Sequence, residues 1–117
     1  MEKHAKVVVI GGGVVGCSIL FHLAKFGLKD CILLERNELT SGSSWHAAGS
    51  VHAISSDPNI SKLMAYTIKL YKEIEETSGH SVGFKPSGGF YLASNEVWHD
   101  YLKRERSKAR YMGLDQE

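Results

Sequence analysis

The sequence predicts an α/β chain that opens with a parallel βαβ unit, and three observations predict it. Lys6-Val-Val-Val-Ile10 is a β-branched run, Val14 to Phe26 carries apolar residues at helical spacing, and Cys31-Ile-Leu-Leu-Glu35 is a second short apolar run. Strand, helix and strand in that order form a crossover unit between parallel neighbours.

The first run, ended by Gly11, reads as a strand buried on both faces. In the helix Val15, Ile19, Leu20, Leu23 and Phe26 recur along one stripe, and Gly27 supplies the stop. Residues 31 to 35 read as the second buried strand. Asn37 to Ser44 is polar and small, a loop leading into a short helix start at Trp45-His-Ala-Ala-Gly49, and Ser55-Ser-Asp-Pro58 marks a turn. From Ser61 to Thr77 the residues Leu63, Met64, Ile68, Leu70, Tyr71 and Ile74 predict an amphipathic helix closed near Gly79. Two short strands are expected at 82–85 and 89–93, on either side of Pro86-Ser-Gly-Gly89. A last helix runs from Ser94 as N-cap to Met112, with Gly113 as its stop, Trp98, Tyr101 and Leu102 on its buried side, and the mixed charges of Lys103 to Lys108 on a solvated face.

This places a βαβ core at about 5–50 and a helix with short strands, the start of a mixed α+β substrate domain, at about 60–112. Doubly wound sheets have about five or six strands. An inventory of two parallel strands therefore predicts an incomplete fold, the front of a larger enzyme, and a chain inactive by itself.

Composition narrows the partners. The 117 residues are 43% hydrophobic and 23% charged, with a net charge of +1. That balance recommends neither nucleic acid nor an anionic membrane. No apolar run reaches the ~20 residues that span a bilayer. Two cysteines, Cys17 and Cys31, are too few for a disulfide framework and suit reduced thiols in the cytoplasm. The polar start, Glu2, Lys3, His4 and Lys6, leaves no room for a signal or transit peptide, so a matrix location would require a targeting extension absent here. His52 and His99 lie in no motif and, like His4, His22 and His80, are expected to be surface or packing residues, and no pair has metal-ligand spacing.

Gly11-Gly-Gly13-Val-Val-Gly16 matches G-x-G-x-x-G directly after a strand and at a helix start. Gly11 permits the tight turn, Gly13 lets backbone amides approach a pyrophosphate, and Gly16 lets helix and strand pack closely, which is a Rossmann-like dinucleotide grip. The helix N-terminus brings partial positive charge to the phosphates. Glu35, about 20 residues past the third glycine, is placed to accept ribose hydroxyls. The plainer reading is a bare tight turn with a solvated carboxylate at a strand end, and the combined context disfavours it. Arg36 could meet a 2′-phosphate, although Glu35 would repel that group, and a surface or adenine-stacking arginine fits as well. Val14 and Val15 are expected to be core residues whose backbones touch the cofactor.

Thr40-Ser-Gly-Ser-Ser44 adds hydroxyls and amides suited to a second anionic contact, which favours a longer cofactor, FAD, over NAD. The stretch Gly42-Ser-Ser-Trp-His46-Ala-Ala-Gly49 then carries a resemblance. Together with Val8-Val-Ile-Gly-Gly-Gly13, His22-Leu-Ala-Lys25, Leu33-Leu-Glu35, Glu38-Leu-Thr-Ser41, Ile68-Lys-Leu-Tyr71 and Val82-Gly-Phe84, it resembles the N-terminal FAD-binding portion of the dimethylglycine and sarcosine dehydrogenase family, among the D-amino-acid-oxidase-like flavoproteins. The resemblance implies FAD joined to His46 through the flavin 8α-methyl carbon, with further contacts from Val14, Val15, Glu35, Arg36, Gly42, Ser43, Ser44 and Trp45. Plainer roles for His46 are a hydrogen bond to a phosphate or loop carbonyl, or a noncovalent flavin contact. The resemblance also implies oxidation of a small N-methylated amine by hydride transfer, electron exit to an electron-transfer protein or oxygen, and tetrahydrofolate where a folate-binding domain is present. An NAD-binding dehydrogenase fragment and a noncatalytic regulatory relative are the other function classes.

Overall fold

The computed structural model describes residues 4–114. Its elements are β1 (Val7–Ile10), α1 (Val14–Lys25), β2 (Cys31–Leu34), α2 (Pro58–Ser78) and α3 (Glu96–Tyr111). They fall into two compact units, Met1–Gly49 and Ser50–Glu117. Among the described residues, no helix is long and apolar enough to cross a membrane.

The first unit is the expected βαβ. β1 and β2 pair in parallel, with Val7 opposite Cys31 and Ile10 opposite Leu34. Each strand is one residue shorter than its apolar run predicts, because Lys6 N–H and Val7 N–H share Asp30 O and the Glu35 side chain turns back to Gly12. α1 ends at Lys25 with Phe26 as C-cap. Leu28 N–H donates to Leu23 O at 3.0 Å and Gly27 N–H to Ala24 O at 2.9 Å, the paired bonds that close a helix on a following glycine. β1 is not buried on both faces. Val9 points under α1, whereas Val8 lies on the open side and Ile10 is 85% exposed, because no described element of the first unit covers that face. Val14 and Val15 are likewise not core residues; at the first turn of α1 they project outward, Val15 with 68% of its surface exposed. Ile19 and Phe26 are exposed as well, so the stripe that packs is narrower than the apolar pattern suggests. Residues 39–46 form successive turns and no helix starts at Trp45, since each bond there spans only a few residues without propagating.

The second unit contains two helices and no strand among its described residues. α2 begins three residues before the periodicity suggests. Asp57 is its N-cap, its carboxylate accepting from Asn59 N–H (2.7 Å) and Ile60 N–H (3.1 Å), with Pro58 at the first position. The Ser-Ser-Asp-Pro stretch is thus the helix start itself. Ser61 is buried because its hydroxyl is satisfied twice, accepting from Ser55 N–H and donating to Ser55 O. Leu70 is buried on α2, while Leu63 faces solvent.

The strands expected at 82–85 and 89–93 are absent. The Glu75 carboxylate captures Val82 N–H and the Ser81 hydroxyl, each at 2.8 Å, Gly83 takes a left-handed φ of 73°, and the Phe84 ring leans on Tyr71 at 5.9 Å. The first segment is therefore bound to α2 by side chains, and residues 89–93 have no ladder partner, leaving Phe90 98% exposed. Asn95, not Ser94, caps α3, its side-chain oxygen accepting from Trp98 N–H at 3.0 Å. Trp98 is 52% exposed and pairs edge-to-face with an exposed Tyr101; the buried residue of α3 is Ala109.

Candidate functional site

The glycine turn is built by three constraints. Gly11 holds φ 105°, a conformation only glycine takes readily, while its N–H donates to Leu34 O at 2.8 Å. A Cβ on Gly16 would stand 1.8 Å from Gly11 O, so helix and turn meet only because position 16 lacks a side chain. Gly12, which the motif leaves unspecified, is enclosed: a Cβ there would lie 2.5 Å from Leu39 Cδ2 and 3.0 Å from Glu35 Cβ.

Glu35 bridges the strand end to this turn. One carboxylate oxygen accepts Gly12 N–H at 2.7 Å and the other accepts Asn37 N–H at 2.9 Å. The Asn37 amide, then the Gly12 amide, and to a smaller extent the amide and charge of Arg36 hold the carboxyl below its ordinary 4.5, against a partial rise from burial. Glu35 is therefore an organiser of the turn as well as a candidate ribose acceptor. The exposed Arg36 supports the ionised acid.

The small-residue loop docks on the same turn. Thr40 N–H donates to Gly12 O at 2.9 Å, and Val14 N–H, the first of α1, donates to Ser44 Oγ at 2.8 Å. Trp45 N–H is shared by Thr40 O and Gly42 O, His46 N–H donates to Ser43 O, and the His46 Nδ1 stands 3.1 Å from Gly42 O. Because a carbonyl only accepts, this assigns the proton to Nδ1 and leaves the Nε2 lone pair unengaged. Trp45 and His46 are exposed.

Of the sequence-predicted residues, Gly11, Gly13, Val14, Gly16, Glu35 and Ser44 gather at the turn, and Gly42, Ser43, Trp45 and His46 share the loop docked on it. Val15 lies one position further along α1, and Arg36 touches the network only through the smaller effect of its amide and charge on Glu35. Sequence reasoning missed Gly12 and Asn37, and it gave Thr40 only a place in the polar loop, not the backbone bond to Gly12 O. Three successive glycines were a signal for Gly12; nothing in the sequence marks Asn37 or the backbone role of Thr40.

The arrangement fits an anionic dinucleotide. Among the described residues no intramolecular hydrogen bond engages the Gly13 or Val15 amide, and the first turn of α1 holds no acid to neutralise it. A Cβ on Gly13 would approach Ser44 Oγ at 3.3 Å, filling the cradle. The hollows in the second unit, about 310 and 240 Å³, are lined by Ser56, Pro58, Tyr111 and neighbours and by Ser61, Tyr66, Lys69 and neighbours, and carry no motif residue. Among the described residues, no three metal-ligating side chains cluster.

The family model described as DAO, FAD dependent oxidoreductase, matches residues 6–117. Human mitochondrial dimethylglycine dehydrogenase is 43% identical over 115 residues, covering 98% of this chain and 13% of that protein. Human mitochondrial sarcosine dehydrogenase is 41% identical over 116 residues, with the same coverage. The mouse mitochondrial pyruvate dehydrogenase phosphatase regulatory subunit is 34% identical over 117 residues, covering all of this chain and 13% of that protein. The chain thus spans about an eighth of the length of these relatives.

Proposed function

The chain belongs to the DAO family of FAD-dependent oxidoreductases, and on that premise we propose that it is the N-terminal part of one FAD-binding domain in a protein that oxidises small N-methylated amino acids. The observation that carries the cofactor part is the convergence of Glu35, Thr40 and Ser44 on one glycine turn at the start of α1. The substrate part is supported by the similarity to dimethylglycine dehydrogenase and sarcosine dehydrogenase.

In this reading the amides of Gly13 and Val15, with the Ser44 hydroxyl, receive the pyrophosphate, and Gly11 and Gly16 fix the turn that presents them. Each Glu35 oxygen accepts one backbone bond and keeps capacity for a ribose hydroxyl. Val14, Arg36, Gly42, Ser43 and Trp45 complete the contacts. His46 is the attachment residue, and Nε2 is its reacting nitrogen, because Nδ1 is held by Gly42 O. When bound, the flavin supplies a hydride acceptor for a C–H bond beside an amine nitrogen. Electrons leave to an electron-transfer protein or oxygen, and tetrahydrofolate enters where a folate-binding domain is present. Cys17 and Cys31 are free thiols, which suits the cytoplasm or the mitochondrial matrix, and the dimethylglycine and sarcosine dehydrogenases this chain resembles are mitochondrial.

The test is acid precipitation of the gene product followed by fluorescence of the washed pellet. Flavin in the pellet, lost in His46→Ala, is the expected result; flavin wholly in the supernatant overturns the attachment. A colourless, flavin-free protein would favour the noncatalytic reading, which the 34% identity to a regulatory subunit keeps specific.

A further inference from the structure

Thr40 is the one non-glycine residue among those described with a positive φ, 65°. A β-branched side chain is crowded in that conformation, which persists only where surrounding bonds impose it. Those bonds are identifiable. Thr40 N–H donates to Gly12 O at 2.9 Å, and Thr40 O accepts from Trp45 N–H at 3.1 Å. The left-handed backbone lets a single residue aim its donor at the glycine turn and its acceptor at the turn that carries His46. Gly42 O, which shares Trp45 N–H at 3.2 Å, is also the partner of His46 Nδ1. A continuous set of bonds therefore runs from Gly12 through Thr40 and Trp45 to the imidazole, and the Thr40 hydroxyl takes no part in it.

We infer that Thr40 is a positioning residue, whose left-handed backbone fixes where His46 stands relative to the N-terminus of α1. Its relevance to cofactor attachment rests on the reading of His46 given above, whereas its test needs only the ligand-free chain.

The readouts are hydrogen exchange at the Trp45 amide and the ¹⁵N signature of His46 Nδ1 protonation. Thr40→Pro removes the N–H and forbids a positive φ. It is expected to speed Trp45 exchange by about tenfold, the scale of one hydrogen bond, and to reduce Nδ1 protonation, while the β1–β2 ladder keeps its protection. Thr40→Asn, which tolerates the left-handed region, is expected to slow Trp45 exchange by about fivefold. Thr40→Val keeps the branching without the hydroxyl and is expected to match the parent. Unchanged exchange in the proline variant, or a loss with valine equal to that with proline, overturns the inference. If the proline variant also loses the ladder, the other two decide: slower exchange with Asn and none of that change with Val supports it, and any other pattern overturns it. A chain that takes up no FAD would sink the cofactor reading and leave the Thr40 result standing.

Discussion

Glu35 does its structural work before any ligand arrives, because its two oxygens already hold Asn37 N–H and Gly12 N–H. A carboxyl whose folded pKa lies below its ordinary value contributes stability that is complete above about 4.5 and is lost as pH falls through the lowered value. The turn is therefore expected to be insensitive to pH from 7 to 4.5 and to loosen below. Following the Gly12 amide resonance through an acid titration checks this, and Glu35→Gln should remove that acid-dependent step; an unchanged titration in the Gln variant would falsify the assignment. At this scale the sequence was informative where a residue's chemistry is tied to spacing, as for Glu35 and Gly13. It was silent where backbone geometry decides. Thr40 uses only its amide and carbonyl, and a threonine has no bias toward positive φ. Val14 and Val15 misled because apolar character predicts burial, while the first turn of α1 leaves both outside.

Helix α1 can lie on β1 because position 16 has no side chain. The added carbon of Gly16→Ala would stand 1.8 Å from Gly11 O, and the obstacle is backbone, which cannot swing away as a side-chain tip would. The expected cost is about 3 kcal/mol or more, read as a lower urea midpoint; a midpoint equal to the parent's would remove close packing from the explanation. β1, α1 and β2 were legible to within a residue at either end because β-branched runs and a glycine punctuate them. The cap of α3 reads from the sequence one residue early, at Ser94, since neighbouring Ser and Asn both cap well, and Ser55-Ser-Asp-Pro58 reads as a turn before α2 and not as its start. The expected hairpin failed for a different reason. Glu75, seven residues before Val82, competes for the amide a strand would share, and that competition depends on where α2 ends.

Across the whole molecule, the first unit carries the proposed cofactor grip and the described residues supply no assigned substrate contact. The 117-residue chain given FAD is expected to turn over neither sarcosine nor dimethylglycine. Dye-linked reduction above the protein-free rate would overturn that. The fold class was legible because a parallel βαβ needs only local patterns, whereas the extent of its burial was not. Val8, Ile10 and Leu34 form an apolar sheet surface that no described element covers. For the bench, that surface sets the choice of buffer: sulfate and phosphate strengthen contacts between such faces, so the chain should salt out early, and dilute, low-salt solutions are the ones that keep it dispersed.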